Sequence, residues 1–177
     1  MKLERMTFNM FGVNTYILWD ETSAECAIID PGMMSHFEED RLSQFIESKG
    51  LKPTLLINTH MHVDHVAGDM YVAEKYGLPV IGCEDDAFLG ERISQQVKMF
   101  GLPVNVDDIK IGQSVKHGDI LRLGEEEIKV LEAILASKAR IKTIIVKELK
   151  EVAKEVIDAL AILASRKKVE LILKGKN

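Results

Sequence analysis

Three of the five histidines in this 177-residue sequence fall within six positions, in Thr59-His60-Met61-His62-Val63-Asp64-His65, directly after the apolar run Leu55-Leu56-Ile57. Neutral imidazole is a preferred zinc ligand and carboxylate a good partner, so these residue types together point to a hydrolytic metal site. In an extended segment, side chains two positions apart project to the same side, which lets His60 and His62 grip one ion. Asp64 and His65 fall where the chain turns into the next predicted helix, so they face another direction and can grip a second ion. The spacing therefore suggests two metals. The competing reading is a metal-free loop of solvated histidines, with Asp64 capping a helix that begins near His65.

The elements around this loop follow from hydrophobic period and turn residues. Thr7–Trp19 and Ala24–Asp30 read as two β-runs joined by the polar turn Asp20-Glu21-Thr22-Ser23. Phe37, Leu42, Phe45 and Ile46 recur at near-helical spacing before Gly50, a C-terminal cap. Leu55–Thr59 is a short strand whose end carries the histidines, and Val66, Met70 and Ala73 mark a helix closed by Gly77 with Pro79 beyond. Val80-Ile81-Gly82 predicts another strand, residues 84–99 a mostly polar surface helix, and Val115–Leu123 with Glu127–Leu131 a hairpin through Gly124. Ile141–Val146, a helical stripe of Leu149, Val152, Val156, Leu160 and Leu163, and Val169–Leu173 make a β-α-β unit. Its two strands are parallel if they share a sheet.

Composition is ordinary for a globular chain, 46 % hydrophobic and 29 % charged, and the formal net charge of −5 argues against nucleic acid as the main partner. That average hides a break. Residues 1–132 carry 12 basic and 23 acidic side chains, a net of −11, whereas residues 133–177 carry 11 and 5, a net of +6. Aromatics stop at Phe100 and histidines at His117. No apolar run is long enough to span a membrane, and the opening Met1-Lys2-Leu3-Glu4-Arg5 lacks the apolar core of a signal peptide, so a cytoplasmic location is expected. Cys26 and Cys83 are expected as buried thiols rather than a disulfide or a metal pair.

The segments Phe11-Gly12-Val13-Asn14-Thr15-Tyr16-Ile17-Leu18 and Ile28-Ile29-Asp30-Pro31-Gly32, the histidine loop, Gly68, and the hairpin from Gly118-Asp119 to Val130-Leu131 together resemble the metallo-β-lactamase superfamily, close to its glyoxalase II-like branch. The resemblance covers roughly residues 1–131. It implies an α/β fold, an αββα sandwich, with the C-terminal β-α-β unit of residues 132–177 completing the same domain. It also implies hydrolysis of an ester, thioester or lactam bond of a small-molecule substrate by a metal-bound hydroxide. By this resemblance His60 and His62 belong to the first metal, Asp64 and His65 to the second, and Asp64 is the catalytic residue that orients the attacking hydroxide. Zinc, one or two ions, is the expected cofactor, with iron or manganese as alternatives.

The sequence also departs from that pattern. After the Ile128–Leu131 strand, family members carry a segment of the type His-Thr-Pro-Gly-His, whose last histidine completes the first metal site. Here the chain reads Glu132-Ala133-Ile134-Leu135-Ala136. A bridging aspartate and a last histidine are expected further on, yet residues 133–177 hold no histidine and only Asp158. A catalytic zinc normally has three protein ligands, so weak metal binding and weak or absent activity are expected. Glu132 is a candidate replacement ligand, and a symmetric homodimer could complete the site in trans. The Lys, Glu, Ala, Ile and Leu vocabulary of the tail reads as an engineered or chimeric segment, with a catalytically silent scaffold as the alternative function. His36 is read as exposed and His117 as a turn residue. Asp30 either helps the site or caps its turn, the turn being the preferred role. Met6, Met10, Met33 and Met34 are read as core or groove fillers.

Overall fold

A computed structural model describes residues 1–135, 142–146 and 171–172, with side chains through Leu131. Its first sheet has six strands in chain order: β1 (Lys2–Phe8), β2 (Val13–Trp19), β3 (Glu25–Ile29), β4 (Lys52–Ile57), β5 (Val80–Cys83) and β6 (Gln113–Val115). The pairs β1–β2 and β2–β3 are antiparallel; β3–β4, β4–β5 and β5–β6 are parallel. Parallel neighbours need a crossover, and helices supply it. They are α1 (His36–Ser48), then α2 (Val63–Val66) with α3 (Asp69–Tyr76), then α4 (Ala87–Gly90) with α5 (Ile93–Phe100).

The central strands are apolar on both faces because both are covered. Ile17, Cys26, Ile28, Leu56 and Val80 point into a core shared with Leu42, Ile46, Val66, Val72 and Ile93 of the helices. Their chain neighbours Leu18, Ala27, Ile29, Ile57 and Ile81 point the other way, into a core with Leu121, Leu123, Ile128 and Val130. That second core is roofed by another sheet, in which β8 (Glu126–Leu135) pairs with β7 (Ile120–Leu123), β9 (Lys142–Val146) and β10 (Leu171–Ile172), each antiparallel. Helices, sheet and sheet are thus three layers of the expected sandwich. Each fully buried Leu or Ile stabilises this arrangement by roughly 1.5–3 kcal/mol.

Several expected elements are subdivided. The run Thr7–Trp19 is two strands, because Asn9 at φ 54° and Gly12 at φ 68° turn the chain back on itself. Gly12 N–H closes that turn on Asn9 O at 3.2 Å. The run Val115–Leu123 is broken at His117-Gly118-Asp119, so Val115 serves the first sheet and Leu121 the second. The helix expected at 84–99 is a 3-10 turn, Glu84–Asp86, followed by α4 and α5; a Cβ on Gly90, where α4 ends, would sit 2.6 Å from Ile109 O. That helix is also less superficial than its polarity suggests, since Ile93 and Gln96 are buried. Met6 and Met33 are core residues, whereas Met10 is exposed.

β9 and β10 both run antiparallel to β8, so they point the same way, with Ile134 paired to Lys142 and to Ile172. The expected tail helix at Leu149–Leu163 lies outside the described residues, as do Asp158 and the side chain of Glu132. Among the described residues no helix is long and apolar enough to cross a membrane.

Candidate metal centre

Two adjacent parallel strands, β3 and β4, deliver the polar residues of the site from their carboxyl ends, where open α/β sheets place ligands. Asp30 leaves β3 and is bonded back to β4 by its N–H to Ile57 O at 2.9 Å. The histidine loop leaves β4, and its inward and outward side chains alternate. Met61 and Val63 are buried at 0 % and 2 % exposure, while His60 and His62 project to the half-buried side. This alternation is why the ligand-type residues sit two apart.

The loop is then pressed against the Asp30-Pro31-Gly32 segment. Gly68 N–H donates to Pro31 O at 2.7 Å. A Cβ on Gly32 would stand 2.6 Å from Asp64 O, and one on Gly68 would stand 2.7 Å from Pro31 O. Asn9 clips a third strand end to the same place, its Nδ2 donating to Gly32 O at 2.8 Å and to Asp64 O at 2.9 Å.

The rings converge. His60 and His65 have centroids 4.0 Å apart, and His60 and His62 4.8 Å apart. Asp64 Oδ2 lies 3.7 Å from His65 Nε2. Two ligands at about 2.1 Å from one tetrahedral ion stand roughly 3.4 Å apart, so this pair is spaced as a pair of ligands would be. The ligand-type atoms of Asp30, His60 and His65 also lie within 4.8 Å of one another. Asp30, however, is already committed. Its carboxylate accepts from Thr59 N–H at 2.7 Å, from the Thr59 hydroxyl, and from His65 Nδ1 at 3.0 Å. A carboxylate on the far nitrogen of an imidazole fixes its tautomer and turns Nε2 toward a metal, which is the role this geometry gives Asp30. These bonds go to the histidine loop and not to the turn that follows Asp30, so the site role replaces the turn-capping role expected from sequence.

Electrostatics agree with a ligand set. Burial first, and the neighbouring His65 second, push the His60 ring down to about 3, so it is a neutral donor at physiological pH. Burial disfavours the Asp30 carboxylate, but the rings of His65 and His60 and the bonds from His65 and Thr59 outweigh it and hold Asp30 below its ordinary value. Burial likewise lowers His65, and Asp30 outweighs it in the opposite direction. Three imidazoles and a carboxylate, half-buried and converging, suit a divalent ion.

Among the described residues the ligand-type atoms that cluster are those of Asp30, His60 and His65; His62 approaches that cluster through its ring contact with His60, and Asp64 through its 3.7 Å approach to His65. Asp64 does not start the helix: α2 begins at Val63 with His62 as its N-terminal flank, and no side chain caps it. His36 is exposed and pairs with Glu39; of the two thiols expected to be buried, Cys26 is buried and Cys83 only half-buried. Sequence reading missed Gln96, whose amide bonds the loop at Met61 and Val63. The signal available was a glutamine on the inward stripe of Ile93, Gln96 and Val97.

The family model described as Metallo-beta-lactamase superfamily matches residues 9–136. A hydroxyacylglutathione hydrolase, GloC, of Haemophilus influenzae is 35% identical over 133 residues, covering 74% of this chain and 60% of the relative. The probable metallo-hydrolase YqgX of Bacillus subtilis is 36% identical over 80 residues, covering 45% of this chain and 35% of the relative. Among solved structures, BLEG-1, a B3 metallo-beta-lactamase, superposes with a TM-score of 0.66 at 17% identity, covering 81% of this chain and 65% of that one. TTHA1623, solved in a di-iron-bound form, superposes with a TM-score of 0.63 at 23% identity, covering 80% and 64%. The chain spans less than two thirds of these curated relatives.

Proposed function

Since the chain belongs to the metallo-β-lactamase superfamily, we propose that it is a metal-dependent hydrolase acting on the ester or thioester bond of a small molecule, with a reduced ligand set and correspondingly low turnover. The observation that carries this reading is the Asp30–His65–Asp64 line. Asp30 holds His65 Nδ1 at 3.0 Å while His65 Nε2 and Asp64 Oδ2 converge to 3.7 Å on the other side.

In this reading His60 and His62 hold one ion, and His65 with Asp64 hold a second or share the first. Zinc fits the imidazole-rich set best, with iron or manganese as alternatives. A bound divalent ion supplies Lewis acidity to polarise the carbonyl and to acidify water. The chain's own residues do the rest. Asp64 would orient the attacking water, Asp30 keeps the His65 ring in register, and the close Gly32–Asp64 approach keeps the loop from drifting. A hydroxyacyl thioester of glutathione is the first substrate to try, because the name of the H. influenzae relative specifies that chemistry.

Low turnover is argued from β8. Where the family pattern has a ligand-bearing loop, this strand continues, with Glu132 paired to Ile144 and Ile134 to Lys142. The composition break near residue 132 supports the second reading, a silent scaffold with a foreign tail.

The test is metal content by elemental analysis after purification without added metal, repeated after dialysis against zinc, alongside thioester turnover. Near one or two ions per chain are expected after zinc, and the double substitution His60→Ala, His62→Ala should remove the metal and any turnover. A wild-type chain that holds no ion after zinc would leave the scaffold reading standing, and turnover unchanged in the double variant would place the activity outside the histidine loop.

A further inference from the structure

Gln96 lies on α5, 33 residues beyond Val63 in sequence, yet two of the three bonds of its amide go to the histidine loop. Its Oε1 accepts from Val63 N–H at 3.0 Å, and its Nε2 donates to Met61 O at 3.3 Å. The same Nε2 donates to Leu89 O on α4 at 3.0 Å. The two loop contacts fall on either side of His62, and a side-chain amide that meets both an N–H and a C=O of an extended strand copies the pairing of a neighbouring β-strand.

Both residues flanking His62 are also anchored by their side chains. Met61 and Val63 are buried, and Met61 fills the space left by two glycines: its Sδ lies 3.7 Å from the Cβ position of Gly82, and its Cε 3.0 Å from that of Gly90. With backbone and side chain held on both sides, the direction of the residue between them is fixed. His62 itself is extended, at φ −81° and ψ 145°, so its ring is delivered away from the anchors and toward His60.

We infer that Gln96 is a positioning residue for the metal centre, which holds the backbone of Met61 and Val63 so that His62 is pre-set as a ligand before an ion arrives. The inference rests on the metal-site reading above and deepens it: the short helices after β5, rather than the sheet alone, set the geometry of the first two histidines. Preorganised ligands bind with less loss of conformational freedom, and outer partners that orient ligands typically govern metal affinity by about 10–100-fold.

Gln96→Met keeps the length of the side chain and removes all three bonds, the two to the loop and the one to Leu89 O. Ile46→Ala, in the core beneath α1, is a control chosen to lower stability without touching the loop. Zinc affinity is measured by competition with a chromophoric chelator, and amide hydrogen exchange at residues 60–65 is measured on the metal-free protein. Gln96→Met should weaken zinc about 10–100-fold and speed exchange at Val63 and its neighbours, whereas Ile46→Ala should leave zinc affinity unchanged at a comparable loss of melting temperature. Gln96→Glu, which keeps the acceptor for Val63 N–H, should recover part of the loss. Unchanged affinity and unchanged loop exchange in Gln96→Met would overturn the inference. If the wild-type chain itself binds no zinc, the proposed function fails, and loop exchange alone then decides whether Gln96 sets the loop.

Discussion

At the end of the histidine loop, where α3 begins, Asp69 is fully buried and accepts one bond, from Asn58 Nδ2 at 3.1 Å. Burial pushes its carboxyl well above the ordinary value, against that bond, and the nearby Asp30 adds to the rise. A carboxyl raised in the folded state contributes stability that is whole below its unfolded pKa, near 3.8, and is lost as the pH climbs through the folded value. Asp69→Asn removes that loss. The metal-free variant should therefore be more stable than wild type at pH 7.5, by on the order of 1–3 kcal/mol, with the difference shrinking toward pH 4. Melting curves at the two pH values check this, and equal gains at both would assign the effect to packing instead. The four ligand-type residues were legible at this scale because chemistry and spacing lie in one heptapeptide. Gln96 was not, and Asp30 was named with the less apt of its two roles preferred, since what they touch is 33 and 35 residues away in the chain. A glutamine's inward direction also depends on where a helix breaks.

Between elements, the turn from β2 to β3 meets the turn from β7 to β8. The Asp20 carboxylate accepts from Thr22 N–H and Ser23 N–H within its own turn, and from Glu125 N–H across the sheets at 3.3 Å. Gly124 N–H donates to Glu25 Oε2 at 2.9 Å. The Ser23 hydroxyl first, then these backbone donors, hold Asp20 down at about 2. A depressed carboxyl contributes stability above its unfolded pKa that is lost as the pH falls through the folded value, so an acid-induced weakening between about pH 4 and pH 2 is expected and should be blunted in Asp20→Asn. Gly124 adopts φ 61°, and a Cβ there would collide with Ser23 Oγ and Asp20 Oδ2. Gly124→Ala should destabilise by about 2 kcal/mol, read as a lower urea midpoint. The hairpin between β2 and β3 was readable from its polar turn. The turns at Asn9 and at Gly118 were not, because each interrupts a continuous β-forming run and depends on a left-handed residue that period counting ignores.

For the molecule as a whole, the layered fold was legible through the family resemblance over residues 1–131, and the sheet partners were not, since pairing β8 with β9 and β10 depends on contacts that no local pattern encodes. The charge break near residue 132 remains a feature of the whole chain: an acidic body of net −11 joined to a tail of net +6. Opposite charges on one chain favour association with a second copy at low salt. Under the proposed function, a symmetric dimer would let one copy supply ligands that the other lacks. Light scattering with and without zinc should then show a metal-dependent dimer, and a monomer at every zinc concentration would confine the centre to one chain.

The joint between the two sheets also bears on the order in which the molecule assembles. Its bonds join residues 99 and 105 positions apart, whereas the first sheet is built from nearer neighbours. Closing so long a loop is slow and costs entropy before any contact rewards it. The joint therefore belongs to the last steps of folding, and its loosening governs how long the native state survives rather than how fast it is reached.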